Sequence, residues 1–450
     1  MWVVIPFLKL IEDPIIAGRA VSVLSGMASI AGIFLVTYAL FKSKKLSILS
    51  SFLYAVSPFT VFFDRLALAD SMLTMFGIWT LFFAIKTVQT KQYNWAMLTG
   101  FTLGGAWLTK SPAIFFFALL PLTILITNIT PKTLFKKVFD FFPFWLTSWA
   151  IGFVIYNILR LGPEFYMISV RNKDYVYPLS HLIESTTHPM IIHLTDSFSY
   201  LWYMLPGSIL LAAFLGIYLS FKKYKRETIL LAAWFIFPLI VQSGLAKVIT
   251  ARYLLFTIPT LFIFGALFIN TFKKKQYLIA SLVVILPALY INYLLLTQPS
   301  KAPLPRSERG GYLEAWTAGT GIPEIAKYLK AERLKNPKQA IVVGTEGYFG
   351  TLPDGLQIYF DKDSKMVVKG VGLALVEVDP SLIEAKRSGD RAFLVANASR
   401  LDLKLEKHGL NLIAEYPKAV KDDGTQDKLL LMEVTEKAVE IYNLNHAQNN

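Results

Sequence analysis

GRAVSVLSGMASIAGIFLVTYALFKSKK, Gly18–Lys45, holds the pattern that decides the fold. An apolar run long enough to cross a bilayer ends abruptly on Lys42, Lys44 and Lys45. The pattern recurs. Further runs read as spans over Leu46–Phe63, Ser71–Ile85, Trp95–Thr109, Ala113–Thr127, Phe139–Leu159, Tyr200–Leu219, Thr228–Leu245, Tyr253–Thr271 and Gln276–Leu296. The connections alternate in chemistry. One set is plain base: Lys86 and Lys91, Lys132/Lys136/Lys137, Lys222/Lys223/Lys225/Arg226, and Lys273/Lys274/Lys275. The other set mixes acids and bases: Asp64, Arg65 and Asp70; Lys110; the segment Leu161–Ser199; Lys247 and Arg252. The expected architecture is mostly α, a polytopic transmembrane bundle of about ten spans, with its plain Lys ends facing the cytoplasm.

Composition agrees. The chain of 450 residues is 54% hydrophobic and 14% aromatic, and its mean hydropathy is +0.48. That lies far from a soluble domain. The net charge of +14 sits at span ends, where anionic headgroups meet it, so nucleic acid is not an expected partner and the lipid bilayer is. Cysteine is absent, which excludes disulfides and thiolate metal sites. Met1–Leu10 lacks the basic start and small-residue cleavage site of a signal peptide.

The last third differs in kind. A Pro-rich linker, QPSKAPLPR from Gln298 to Arg306, follows the last span. Beyond it, Pro323–Leu334 and Ser381–Arg387 read as helices, and Ala340–Gly344, Ala392–Val395, Leu410–Glu415 and Leu429–Val434 as strands. The expected division is a membrane domain over 1–297 with an outward loop over 161–199, a linker over 298–311, a small extracytoplasmic α/β domain over 312–435, and a flexible tail over 436–450.

Charge beside a span needs water or a partner. Asp70 opens an apolar run: it is either an N-cap or a carboxylate that acts on a hydroxyl or holds a metal. Lys110 runs against the positive-inside trend, either snorkelling to the headgroups or meeting a phosphate. Arg252 precedes Tyr253, as an interfacial pair or a phosphate ligand. The outward loop adds Arg171, Asp174, His181, His188 and His193. The spacing of its histidines does not suit zinc and no His-Glu-x-x-His occurs, so exposed loop histidines are expected. Bases and acids on one aqueous face suit a lipid phosphate that carries a polar group.

These residues resemble a known group. Asp64-Arg65 with Asp70, Gly100 through Thr109-Lys110-Ser111-Pro112, and Ala251-Arg252-Tyr253-Leu254-Leu255-Phe256 before Ile258-Pro259 are similar to the GT-C superfamily of membrane glycosyltransferases, in its protein-mannosyltransferase-like branch. The resemblance covers about Trp2–Leu296. Beyond it, Tyr312–Trp316 and the Gly-rich Gly344–Gly355 (GTEGYFGTLPDG) are similar to the outward domain of a bacterial subset. The resemblance implies an integral-membrane hexosyl or pentosyl transferase of the cell membrane, acting with inversion. It would move a sugar from a polyprenyl-phosphate carrier to a glycan, lipid or protein acceptor on the extracytoplasmic face. Asp70 matches an acid that contacts metal (Mg or Mn) or substrate, and Asp64 joins it as a catalytic candidate. Arg65, Lys110, Arg171, Asp174, Arg252 and Tyr253 are the candidates for the carrier phosphate and substrate. Relatives begin with one more span and a large acidic outward loop. Met1–Leu10 is similar to the end of that loop, and Glu12 and Asp13 do not match its acid, so a fragment is one expectation and no catalytic base is assigned. The rival readings are a non-catalytic relative that binds glycan or lipid carrier, and a transporter of lipid-linked sugar. Few ionisable residues fall within the spans, which opposes transport.

Overall fold

A computed structural model describes residues 2–128, 130–185, 187–360 and 363–447. The chain divides into two compact units, Met1–Pro305 and Arg306–Asn450.

The first unit is helical. Among the described residues five helices are long and apolar enough to cross a membrane: Pro14–Phe41, Ala69–Thr90, Lys132–Leu161, Lys225–Leu245 and Lys275–Thr297. They become six if the bent pair Met190–Met204 and Gly207–Lys223 counts as one span. Helix occupies part or all of each of the ten expected segments, but several are short or broken, and the breaks have local causes. Leu46–Phe63 is split into Lys44–Val56 and Pro58–Phe63, because Pro58 pushes Ser57 out of the helical region, to φ −70° and ψ 129°. The expected span Tyr200–Leu219 is not one straight helix: the chain turns through 113° at Leu205-Pro206. Ser111–Ile126 and Pro259–Ile269 are apolar but shorter than a usual span. The first long helix starts where Asp13 accepts from the Ile15 and Ile16 amides with Pro14 behind it, and ends on Lys42 in the left-handed region.

The two chemistries of the connections segregate as expected. On the basic side, Lys45 lies 3.6 Å from the Tyr277 ring centre, Phe41 meets Tyr224, and Arg226 donates to Asn128. At the other ends of the helices, Ser22 donates to the Leu68 carbonyl and Arg65 to that of Leu295. The Lys275–Thr297 helix exposes Leu278, Leu282, Val283, Leu286 and Tyr290, an apolar face suited to lipid.

Glycines set the helix spacing. A Cβ on Gly100 would meet Ile151 at 2.7 Å and the Ser148 carbonyl at 2.9 Å; one on Gly104 would meet Ile155, and one on Gly105 would meet Phe76. The Tyr93–Thr109 helix thus touches two neighbours through bare backbone, as its small residues suggested.

The second unit is an α/β domain around a five-stranded sheet: β1 Ile341–Glu346, β2 Met366–Gly372, β3 Arg391–Asn397, β4 Leu410–Pro417 and β5 Lys428–Val434. The order is β2-β1-β3-β5-β4, parallel across the first three strands and antiparallel from β3 onward. Strand residues alternate between two cores. Phe393, Val395 and Leu431 face the Ile322–Lys335 helix, while Leu394, Ala396 and Met432 face Pro380–Arg387 and the last helix. Four strands and both helices match expectation. β2 was not expected, since Gly370 and Gly372 weaken its strand signal. The 436–450 segment is not a free tail: Glu436–Ala447 is a helix whose Ala438 is buried against the sheet, and residues 448–450 lie outside the described residues. Part of the expected linker is also ordered, as Arg306–Arg309 and Gly310–Glu314 closed by an Arg309–Glu314 ion pair.

Gly100→Val is expected to cost about 1–3 kcal/mol, since it forces a side chain onto the Ser148 carbonyl. The thermal midpoint of the detergent-solubilised protein should fall well below that of Met97→Val, whose site is exposed.

Candidate active site

The antiparallel helices Ala69–Thr90 and Tyr93–Thr109 pack side by side, so the start of one lies beside the end of the other. Asp70 is the second residue of the former, and Lys110 stands just past the end of the latter. Asp70 is only 3% exposed, and Lys110 Nζ reaches its Oδ1 at 2.6 Å. Asp70 is therefore not the N-cap. That place belongs to Leu68, which makes no side-chain cap, and the Asp70 carboxylate points at the base instead. The helix dipole still favours the acid in this first turn.

A third segment completes the group. Ala251–Leu254 is a 3-10 turn ahead of the Pro259–Ile269 helix. Its Tyr253 ring lies 4.5 Å from Lys110 Nζ, and the Arg252 guanidinium is 5.4 Å from the centre of the same ring. Asp70, Lys110, Tyr253 and Arg252 thus converge from three parts of the chain. Both bases are part-exposed while the acid is buried, so the group offers positive charge to its surroundings.

The remaining candidates lie elsewhere. Asp64 accepts from the Tyr54 hydroxyl at 2.9 Å and packs against Gly26. Arg65 donates to the Leu295 carbonyl. These two brace helices. Arg171 and Asp174 are exposed on the short helix Tyr166–Tyr175. That helix is tied near the group, since Ser111 meets Asn172 at 3.5 Å and Lys247 Nζ donates to the Lys173 carbonyl at 2.6 Å. The loop is further latched by Tyr177 N to Leu245 O and Lys247 N to Tyr175 O. His193 departs from expectation: it is buried, with Nδ1 at the Ser243 carbonyl. His181 stacks on Tyr177 at 4.0 Å.

The donor set was tested for a divalent metal. Among the described residues no group of three or more His, Asp or Glu side chains converges, and Asp70 is already held by an ammonium group. Mg²⁺ and Mn²⁺ want several oxygen ligands, so these residues do not fit one, and no step is routed through a metal.

Tyr54 and Asn292 are polar residues that sequence reasoning passed over. Each is a polar tip inside an apolar run, which is the only signal they give.

Comparison with known proteins supports the resemblance. Residues 1–156 match the family model of dolichyl-phosphate-mannose-protein mannosyltransferase. ArnT from Cupriavidus metallidurans in the apo state superposes with a TM-score of 0.53 at 14% identity, over 97% of this chain and 87% of that one. The chain shares the fold of ArnT. A second structure of the same ArnT, bound to undecaprenyl phosphate, gives a TM-score of 0.52 with the same identity and coverage. The Archaeoglobus fulgidus oligosaccharyltransferase aligns more loosely, at TM-score 0.44 and 12% identity over 85% of this chain and 58% of that one, and bears no weight for the site. No curated protein matches the chain. The apolar helices suit a multi-pass membrane protein.

Removing one partner of a buried ion pair strands a charge. Lys110→Met should destabilise the protein more than Asp70→Asn, and the double variant should recover part of the loss. A double-mutant cycle read by denaturation in detergent is expected to give a coupling of about 1–3 kcal/mol; additive losses would show that the pair contributes nothing.

Proposed function

We propose that the chain transfers a sugar from a polyprenyl-phosphate carrier to an acceptor on the extracytoplasmic face of the membrane. The observation that carries this is the meeting of Asp70, Lys110, Tyr253 and Arg252 at the helix ends opposite the plain Lys clusters. The positive-inside rule puts those Lys clusters in the cytoplasm, and with them the site and the segment after Thr297 on the outer side. An outward group of two bases beside a Tyr suits a lipid-borne phosphate, which is the kind of ligand that ArnT holds in its bound structure.

The roles follow from charge. Lys110 and Arg252 donate to the carrier phosphate. An acceptor oxygen attacks the anomeric carbon, the bond from that carbon to the phosphate oxygen breaks, and the lipid phosphate leaves with the electron pair. The acceptor's proton passes to a carboxylate, and Asp70 is the acid nearest the bases. Asp64, tied to Tyr54, holds the wall of the site.

The purified chain, reconstituted in vesicles with labelled polyprenyl-phosphate hexose or pentose and an extract of envelope glycans and lipids, should release free lipid phosphate. Asp70→Asn is expected to lower the rate about 100-fold or more, a loss that persists well below the modestly lowered thermal midpoint of the variant. Arg252→Ala should raise the carrier concentration needed for half-maximal rate. Undiminished transfer by Asp70→Asn overturns its role, and carrier bound by the wild type without release of lipid phosphate overturns the reaction.

A further inference from the structure

The basic ends of the helices form more than a boundary. Three of the turns there, at residues 42–45, 222–226 and 273–275, carry three lysines each, and the fold gathers them. Phe41, beside Lys42, has its ring 5.1 Å from that of Tyr224 in the second turn. Lys45 Nζ lies 3.6 Å from the centre of the Tyr277 ring, just past the third. The first turn therefore stands between the other two. Glu227 is the single acid in or beside the three turns.

Exposed lysines at span ends ordinarily ask for nothing but water and a headgroup layer. Their backbone sets these apart. Among the described residues three that are not glycine have a positive φ, and all three are lysines at basic turns: Lys42 at +54°, Lys91 at +54° and Lys274 at +47°. A residue with a Cβ is strained in that region, and a helix that ends there usually takes Gly. Lys42 and Lys274 lie in the gathered turns. Keeping Lys at these positions costs the fold strain that Gly would avoid, which points to a use for the charge.

The ammonium groups are also uncommitted. Among the described residues the nine lysine side chains of these turns make no hydrogen bond or ion pair, and several lie over aromatic rings. Lys222 is 5.7 Å from the Tyr218 ring, Lys223 5.1 Å from that of Tyr224 and Lys225 5.6 Å from that of Phe221. A ring face steadies an ammonium group and leaves its N–H donors for an anion. Like charges gathered in this way repel one another, and an anion laid across the turns would relieve the repulsion.

The surroundings select the ligand class. Within one turn of helix from these lysines, Tyr218, Phe221, Leu278 and Ile279 are exposed. A soluble anion or an acidic protein segment would meet the bases and leave these side chains bare. A phospholipid covers both, with phosphate on the lysines and acyl chains on the apolar sides. One phosphate can reach one turn, whereas the charge here is spread over three, so a headgroup with two phosphates answers it better. We propose that the three turns form a binding site for an anionic phospholipid that carries two phosphates, with Lys42, Lys45, Lys223 and Lys274 as its contacts. The site stands whichever leaflet meets these helix ends, and whether or not the chain transfers a sugar.

The test is native mass spectrometry of the full chain in detergent, titrated with cardiolipin, phosphatidylglycerol or phosphatidylethanolamine. Cardiolipin should be retained at a concentration about tenfold or more below the one phosphatidylethanolamine needs, with phosphatidylglycerol between them. Lys42→Gln, Lys45→Gln and Lys274→Gln made together should weaken cardiolipin about tenfold or more. Lys86→Gln, Lys132→Gln and Lys136→Gln remove the same charge elsewhere on the basic side and should change it little. Lys42→Gly and Lys274→Gly separate charge from backbone: each should weaken cardiolipin and yet raise the thermal midpoint measured without lipid. The proposal is overturned if cardiolipin binds no better than phosphatidylethanolamine, if both triple variants lose it equally, if inorganic pyrophosphate binds as tightly as cardiolipin, or if the Gly variants lose stability.

Discussion

A carboxylate sealed at the mouth of a membrane bundle must find a cation or give up its charge, and much of the first unit is arranged so that Asp70 finds Lys110. The pair closes at 2.6 Å only if two antiparallel helices run close together. Gly105 against Phe76 allows that approach, and Gly100 and Gly104 against Ser148, Ile151 and Ile155 hold the second helix from its far side. Residues at helical spacing thus fix the position of a base several turns away. Tyr253 then finishes the work, since its ring face gives Lys110 a second favourable contact.

Broken helices in such a bundle leave backbone groups that lipid cannot satisfy. The break at Ser57-Pro58 has its own repair: Asn292, buried within the Lys275–Thr297 helix, donates to the Val56 carbonyl at 2.7 Å. That bond also ties the last span to the helix that carries Tyr54, and Tyr54 in turn holds Asp64. Asp64 and Arg65 therefore stabilise the junction of three helices.

Much of this was legible because membrane physics writes itself in composition. Apolar runs bounded by Lys revealed the helices, and Asp70, Lys110, Tyr253 and Arg252 stood out as charged or aromatic residues at the ends away from the plain Lys clusters. The effect of Pro58 and Pro206 was harder to see, because whether a Pro kinks or breaks a helix depends on what packs against it. β2 was hidden by its glycines. Asp174 and Arg171 are exposed on their helix, and nothing in sequence reports that it is tied to Ser111, next to Lys110. In the sheet domain the Asn397 N–H donates to the Glu346 carboxylate, and the pair, 51 residues apart, is joined through strand pairing that no local pattern reports.

The pairing of Lys110 with Asp70 bears on how the proposed reaction would be favoured. In a polyprenyl-phosphate sugar the phosphate bridges two carbons, and when the bond to the sugar breaks it gains negative charge. In the proposed reaction Lys110 and Arg252 would interact more strongly with that product-like phosphate than with the starting one, and this difference would lower the barrier. A lysine free in solution would also have to reorganise. Held by Asp70 on one side and Tyr253 on the other, Lys110 keeps its remaining N–H donors directed, and little rotamer entropy is left to lose as charge develops. The same embrace limits affinity for the ground-state carrier, because Asp70 offsets part of the positive charge the phosphate would feel. A site that binds its resting substrate modestly and its leaving group firmly is the one that turns over, and in the proposed reaction Asp70 would set that balance whether or not it also takes the acceptor's proton.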